Sequence, residues 1–213
     1  MSKSRVVVFG VAALLLAACG PVHPGSAAVV DGDRISMQQV DDYAESYCLI
    51  SLLNAAQSGT TAIDNSMIRR QAVSDLVVAS VADSIAAEEN YKVAIPEMPA
   101  EDLAQITELF GSDAEAVLAL IERNQRISAI ATEVAKDAGV KVEDETALPQ
   151  AGFELLTQAA AKADVSIDPR FGLDDDVQPV AETGSLQASS LLLDGVSAEA
   201  LRDRGLVYLR MEC

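Results

Sequence analysis

The chain has few aromatic residues, a single histidine and far fewer basic than acidic side chains. Its 213 residues include no tryptophan, 4% aromatic residues, 33 Asp and Glu and 15 Lys and Arg, which give a net charge of −18. The scarcity of aromatics favours an aliphatic, helical core, and the length suits one domain with appendages. The charge argues against binding of nucleic acid or anionic lipid, since both require basic patches. Two interpretations of the acidity stay open: solubility alone, or attraction of basic protein clients.

Motifs for common catalytic sites are also missing from the sequence. There is no Gly-x-Ser-x-Gly elbow, no Cys-x-x-Cys pair and no glycine-rich phosphate loop. The single histidine, His23, lies in a short segment rich in glycine and proline, where a catalytic or metal-binding role is not expected. The acidic run at 174–176 lacks the spacing of a calcium loop and is interpreted as a solvated turn. The sequence therefore predicts no catalytic residue, no metal and no cofactor.

The first residues have the features of a bacterial lipoprotein signal. Two basic residues precede an apolar run at 6–16, which is too short to span a membrane as a mature helix. The run ends in LAAC at 16–19, which resembles a lipobox. This resemblance implies a signal peptide at 1–18, lipid attachment to Cys19 and a tether at 19–26, on the extracytoplasmic face of the cell membrane. An ordinary secreted protein with an unmodified Cys19 is the alternative.

Two further cysteines, Cys48 and Cys213, remain once Cys19 carries lipid. Outside the cytoplasm such an even remainder favours a disulfide. A bridge across so long a loop would stabilise the fold by about 4–5 kcal/mol on the chain-entropy model. The alternative is that Cys48 acts as a small buried hydrophobe while Cys213 is free.

The segment at 28–40 predicts how the fold begins. Asp31 and Gly32 stand between two short extended runs, and an Asp-Gly pair in that position favours a hairpin with a type I′ turn. Ser36 follows as a helix N-cap, and Gln39 stands three residues later, where it can complete a capping box. The segment therefore predicts a β-hairpin that leads directly into a helix.

Apolar residues then recur at helical spacing along most of the chain. The predicted helices cover approximately 37–57, 64–90, 100–110, 112–138 and 150–164. The fourth begins with a predicted capping box, Ser112 to Glu115, and its apolar stripe is interrupted by Asn124. Asn124 either joins a buried polar network or faces water at the edge of the stripe. Residues 165–167 alternate as a short strand, and 173–213 are predicted to form an acidic tail that docks in part.

The order of these motifs resembles a known family. Residues 28–41, AVVDGDRISMQQVD, are similar to the opening of the N-terminal chaperone domain shared by SurA, PrsA and related extracytoplasmic foldases. Residues 135–145 resemble a helix end of that family. Residues 163–172 resemble the strand by which such lipoproteins, especially actinobacterial ones, return to the hairpin. For 27–172 the resemblance implies a mainly α fold, in which short strands from 28–35 and 165–171 pair.

This resemblance also implies a function, the binding of unfolded or partly folded secreted proteins along apolar grooves between helices. It does not identify the client-binding residues. In the full-length foldases a parvulin prolyl-isomerase domain is inserted or appended, whereas here only 143–149 occupy the insertion point and the histidines typical of a parvulin site are missing. We therefore predict a lipoprotein without isomerase activity. The alternatives are a scaffolding lipoprotein with one folded envelope partner and an enzyme with residual isomerase activity.

Overall fold

A computed structural model describes residues 25–58, 62–174, 177–178, 180 and 190–192. Its helices are α1 (Met37–Ser58), α2 (Asn65–Glu88), α3 (Ala100–Phe110), α4 (Ala114–Asp137) and α5 (Leu148–Ala160). Its strands are β1 (Ser26–Val30), β2 (Asp33–Ser36), β3 (Ala62–Asp64), β4 (Val165–Ile167) and β5 (Ser190–Leu192). This confirms the predicted mainly helical class. No helix in these ranges has the length and apolar character needed to cross a membrane.

The strands β2, β1 and β4 form an antiparallel sheet in that order, with β1 in the centre. At one end of β1, Val30 pairs with Asp33 on one side and with Val165 on the other. Next to this pair the amide of Asp31 donates to the carbonyl of Asp164 at 2.9 Å, and the amide of Asp164 donates to the Asp31 carboxylate at 3.0 Å. The predicted return of the chain to its opening hairpin is therefore confirmed.

The turn and the helix start also form as predicted. Asp31 and Gly32 have φ angles of 50° and 92°, the two positive values that a type I′ turn requires. The amide of Ser36 donates to Oε1 of Gln39 at 2.8 Å, and the amide of Gln39 donates to the Ser36 hydroxyl at 3.1 Å. These reciprocal bonds are a complete capping box at the start of α1.

Replacing Gly32 by valine is expected to lower the free energy of unfolding by about 1–3 kcal/mol. A Cβ atom at this position would have nothing within 4 Å, so the loss would come from the positive φ angle, which β-branched residues resist. Denaturant titration measures the effect. Gly32→Asn is the matched control and should lose less, because asparagine tolerates positive φ. Equal stabilities for native protein and Gly32→Val would contradict the turn.

The helices and the sheet enclose a main aliphatic core and a smaller second one. Fully buried side chains of the main core include Val40, Leu52, Val73 and Val117. The second core lies between α2, α4 and α5 and includes Ala82, Ile130 and Leu156. Because α1, α2 and α4 all contribute to the main core, polar side chains at the edges of their apolar stripes come close to one another.

The capping box predicted at 112–115 is wrong. A single 3₁₀ turn, Gly111–Asp113, connects α3 to α4, and no side chain caps the first turn of α4. The amide of Ala114 donates to the carbonyl of Gly111, while the Ser112 hydroxyl contacts the Asp113 carboxylate at 3.5 Å. The backbone of the tight turn therefore supplies the bond for which a side-chain cap was predicted.

The pair of strands β3 and β5 was not predicted. They are antiparallel, with Ile63 opposite Leu191. A three-residue strand is too short to show an alternating pattern, so β3 gives no signal in the sequence. The rest of the predicted tail at 173–213 lies largely outside the described residues, so its docking stays a prediction.

Cys48 lies in α1, where it is 2% exposed and disulfide-bonded. Cys19 and Cys213 both lie outside the described residues, as do the predicted signal peptide and most of the tether. The pairing of Cys48 with Cys213 and the lipid attachment at Cys19 therefore stay predictions.

Candidate functional site

A group of hydrogen-bonded polar side chains lies between α1, α2 and α4. The hydroxyl of Tyr43 donates to Oδ1 of Asn124 at 3.1 Å, and the same hydroxyl lies close enough to the Asp75 carboxylate to influence its pKa. From the preceding turn of α2, Nε2 of Gln71 donates to Oδ1 of Asp75 at 2.7 Å. The ring of Tyr43 stacks on that of Tyr47, with centroids 6.3 Å apart. Three helices thus contribute neutral polar groups to one cluster around this carboxylate.

Helix geometry explains two of these contacts. Tyr43 and Tyr47 are four residues apart in α1, and Gln71 and Asp75 are four residues apart in α2, so each pair lies on one face of its helix. Asn124 combines the two alternatives predicted for it, a place in a polar network and a position facing water. Its side chain is exposed at the edge of the α4 stripe, and it also accepts a hydrogen bond from Tyr43.

Burial perturbs the acidity of this group. It raises the pKa of Asp75, and the hydrogen bond from Gln71 and the nearby hydroxyl of Tyr43 oppose that rise. Burial also raises the pKa of Tyr43; the nearby charge of Asp75 adds to this rise and that of Arg123 opposes it. Within the described part of the chain, no lysine or arginine forms an ion pair with Asp75. Among the described residues the carboxylate therefore has Gln71 as a neutral donor and no counter-charge.

The raised pKa of Asp75 predicts a specific pH dependence of stability. The relevant pH range extends from 3.8, the ordinary pKa of an aspartate, up to the raised pKa of Asp75 in the folded protein. In this range the folded state holds a proton on Asp75 that the unfolded state has released. The contribution of Asp75 to stability is therefore lost as the pH rises through that window. An Asp75→Asn variant removes this loss, so its stability relative to the native protein should increase from pH 4 upward. Denaturant titrations at several pH values measure the difference, and a difference that shrinks with rising pH would contradict the prediction.

A cavity of about 310 Å³ opens beside this carboxylate, and we name it the Asp75 pocket. Its walls come from α1, α2, α4, α5 and residues 177–178. The polar and aromatic lining includes Tyr47, Gln71, Asp75, Asn124, Phe153 and Gln178. Among the described residues that line it, Asp75 is the single charged one. The volume lies at the lower end of the range for small-ligand pockets.

One wall of the Asp75 pocket includes a residue with a strained backbone, Val177. Val177 is buried in this wall with a φ angle of 61°, a conformation that costs a β-branched residue about 1–3 kcal/mol. Its amide donates to the carbonyl of Asp174 at 2.9 Å, and the amide of Gln178 donates to the Asp174 carboxylate at 2.7 Å. Strain of this kind concentrates at ligand clamps, which marks this wall as a candidate binding element.

A larger cavity of about 540 Å³, which we name the α1–α4 cleft, lies between α1 and the first half of α4. Buried side chains of Tyr43, Leu49, Leu76 and Leu120 line it. Its acidic lining residues are Asp42, Glu45, Asp113 and Glu115, and Arg123 is the one basic residue among the described side chains around it. The hydroxyl of Tyr43 reaches Asn124, which lines the Asp75 pocket, so this side chain connects the two cavities.

Of the residues predicted as structural turn and cap residues, one lines one of these two cavities and three do not. Gln39 lines the α1–α4 cleft, whereas Asp31, Gly32 and Ser36 line neither cavity. Asp75 was not predicted as a site residue, because it is an isolated acidic residue among the apolar positions of α2. Its only local signal is the spacing of four residues from Gln71, a pattern that also occurs on ordinary exposed helix faces.

In the part of the chain that the structure describes, no group of three or more His, Cys, Asp or Glu side chains is arranged to hold a metal ion. Comparison with protein-family models, curated proteins and solved structures gives no match for this chain. The two cavities are therefore the features of the described residues that bear on function.

Proposed function

We propose that this protein is a non-catalytic, chaperone-like lipoprotein that binds unfolded or partly folded segments of secreted proteins at the extracytoplasmic face of the cell membrane. The resemblance of 28–41 and 163–172 to SurA- and PrsA-type domains supports the proposal, as does the lipobox that ends at Cys19. The observation that carries it is the α1–α4 cleft, an open cavity of about 540 Å³ with apolar and acidic lining.

The lining of the cleft suits a particular class of client. Among the apolar lining residues, Ala116 and Ala119 are exposed, whereas Tyr43, Leu49 and Leu120 are buried. A client's apolar side chains would displace water from the exposed part of this surface. Four acidic residues and one basic residue around them favour basic side chains next to the apolar ones. The net charge of −18 adds a long-range attraction for such segments, which speeds association at low salt.

A second candidate function is the binding of one folded envelope partner. The observation in its favour is the small exposed apolar area of the described residues, where Met67, Leu103 and Val180 are the large hydrophobic side chains that are exposed. A chaperone of broad specificity needs a more extensive apolar surface than three side chains provide. Selective recognition of one partner needs only a compact patch.

Suppression of client aggregation tests the proposal. Purified full-length protein is mixed with a reduced, unfolding basic client or with an acidic one, and light scattering follows aggregation while a parallel assay follows prolyl isomerisation. We expect suppression at near-stoichiometric ratios, stronger for the basic client, without isomerisation.

Asp42→Lys reverses a charge in the cleft and should weaken suppression several-fold. Glu108→Lys makes the same change on the exposed face of α3 and should not weaken it.

Two results would overturn the proposal. If the native protein fails to suppress aggregation but forms a one-to-one complex with a folded envelope protein, the second candidate is correct. If Asp42→Lys and Glu108→Lys weaken suppression equally, the acidic surface as a whole acts and the cleft is not the binding site.

A further inference from the structure

We propose that the Asp75 pocket binds the cationic head of an organic molecule, an alkylammonium or guanidinium group, with Asp75 as its counter-charge. This site is distinct from the α1–α4 cleft that carries the proposed function. The inference rests on that function only for the source of the cation, a lysine or arginine side chain of a client. A free small amine presents the same chemistry, and the experiment below separates the two sources.

The charge balance of the pocket selects a cation. Asp75 is the single charged residue among the described ones that line it, and no described basic side chain pairs with Asp75. A carboxylate offers about four acceptor positions, and the neutral donor Gln71 occupies one of them. Room therefore remains for a charged N–H donor, which bonds a carboxylate more strongly than a neutral donor does. Such a donor would also offset the burial that raises the pKa of Asp75.

The rest of the lining suits the other parts of such a ligand. Tyr47 and Phe153 supply aromatic rings, which attract ammonium and guanidinium groups. The amide oxygens of Asn124 and Gln178 are additional acceptors for N–H groups. Val78 and Ile127 give apolar surface for an alkyl stem.

Other ligand classes fit this pocket less well. An anion would meet the carboxylate without any basic side chain among the described lining residues. A calcium ion takes six to eight oxygen ligands, usually with several carboxylates, and this lining provides one carboxylate. Val177, which lines the pocket, has a strained backbone conformation. Such strain is common at sites that clamp a ligand.

Titration with defined probes tests the inference. N-acetyl-arginine amide is added to the full-length protein and monitored through the NMR signals of the side-chain amides of Gln71, Asn124 and Gln178. N-acetyl-citrulline amide, which has nearly the same shape without the charge, is the matched ligand control. We expect saturable shifts when the arginine compound is added to the native protein. Compared with that binding, the citrulline compound should bind the native protein at least tenfold more weakly. Both compounds should also bind Asp75→Asn at least tenfold more weakly. Glu154→Gln, the same change of charge at an exposed position of α5 outside the pocket, should leave the affinity unchanged.

The source of the cation follows from a second titration. A five-residue peptide with one central arginine should bind more tightly than agmatine if the cation belongs to a client, and agmatine should bind more tightly than the peptide if the natural ligand is a free amine. Equal binding by native protein and Asp75→Asn, or equal binding of the arginine and citrulline probes, would overturn the inference. If Asp42→Lys abolishes binding while Asp75→Asn does not, the cation binds in the α1–α4 cleft. In that case this inference fails although the proposed function stands.

Discussion

A Gly152→Ala variant should lose about 3 kcal/mol or more of unfolding free energy, although helix propensity alone predicts a gain of about 1 kcal/mol. A methyl group on Gly152 would lie 1.8 Å from the carbonyl oxygen of Ala131 and 2.3 Å from its carbonyl carbon. Both atoms belong to the backbone of α4, so no change of rotamer can relieve the clash. α5 would have to move away from α4 and open the second core around Ile130 and Leu156.

Thermal and denaturant unfolding measure this effect against two controls. Gln158→Ala changes an exposed position of the same helix and should stay within about 0.5 kcal/mol of the native protein. Adding Ala131→Gly to Gly152→Ala should not restore stability, because the clashing atoms of Ala131 are main-chain atoms. A single Gly152→Ala variant as stable as the native protein would show that the two helices do not approach this closely.

Gly152 also connects the packing of α5 to the Asp75 pocket. The next residue, Phe153, lines that pocket together with Asn124 of α4. A displacement of α5 would therefore separate two walls of the pocket, and we expect Gly152→Ala to weaken binding of the arginine probe as well as to destabilise the fold. Asp75→Asn should weaken probe binding without destabilising the fold at neutral pH. The two variants thus separate a structural cause of lost binding from a direct one.

Local signals were sufficient where neighbouring residues in the sequence determine the structure. The helix at 100–110 and the strand at 165–167 were predicted with the bounds that they have in the structure, because Pro99 and Gly111 flank the helix and the strand alternates apolar and polar residues. The hairpin at Asp31 and Gly32 was predicted correctly because an Asp-Gly pair between two extended runs favours this turn. In each case the signal lies within a few residues of the element that it predicts.

The sequence could not show features that depend on which helices become neighbours. Tyr43 lies beside both Asp75 and Asn124 only because α1, α2 and α4 share one core, and each of these polar residues alone is compatible with an ordinary helix edge. Gly152 gave a partial signal, because a glycine inside a helical pattern often marks a close approach of another backbone. The identity of that backbone, the carbonyl of Ala131, follows only from the fold.

Reduction of the disulfide at Cys48 is expected to lower the unfolding free energy by about 4–5 kcal/mol if the bridge closes the long loop to Cys213. Cys48 is 2% exposed in α1, so the bridge is anchored in the main core. A bridge to Cys213 would restrict the conformations that the unfolded chain between the two cysteines can adopt. Denaturant titrations of the native protein with and without reductant give the difference. The same pair of titrations on Cys48→Ala is the control. Reductant should not change the stability of this variant, because any loss from the smaller side chain is present in both of its titrations.

Peptide mapping without reduction identifies the partner and at the same time tests the predicted lipid anchor. A cross-linked peptide that contains Cys48 and Cys213 would leave the sulfur of Cys19 available for the thioether bond to lipid. A cross-link from Cys48 to Cys19 would use that same sulfur and exclude lipidation of that molecule. A bridge to Cys19 would therefore contradict both the proposed membrane anchoring and the proposed pairing, and would leave a secreted domain whose N-terminal tether is fixed to α1.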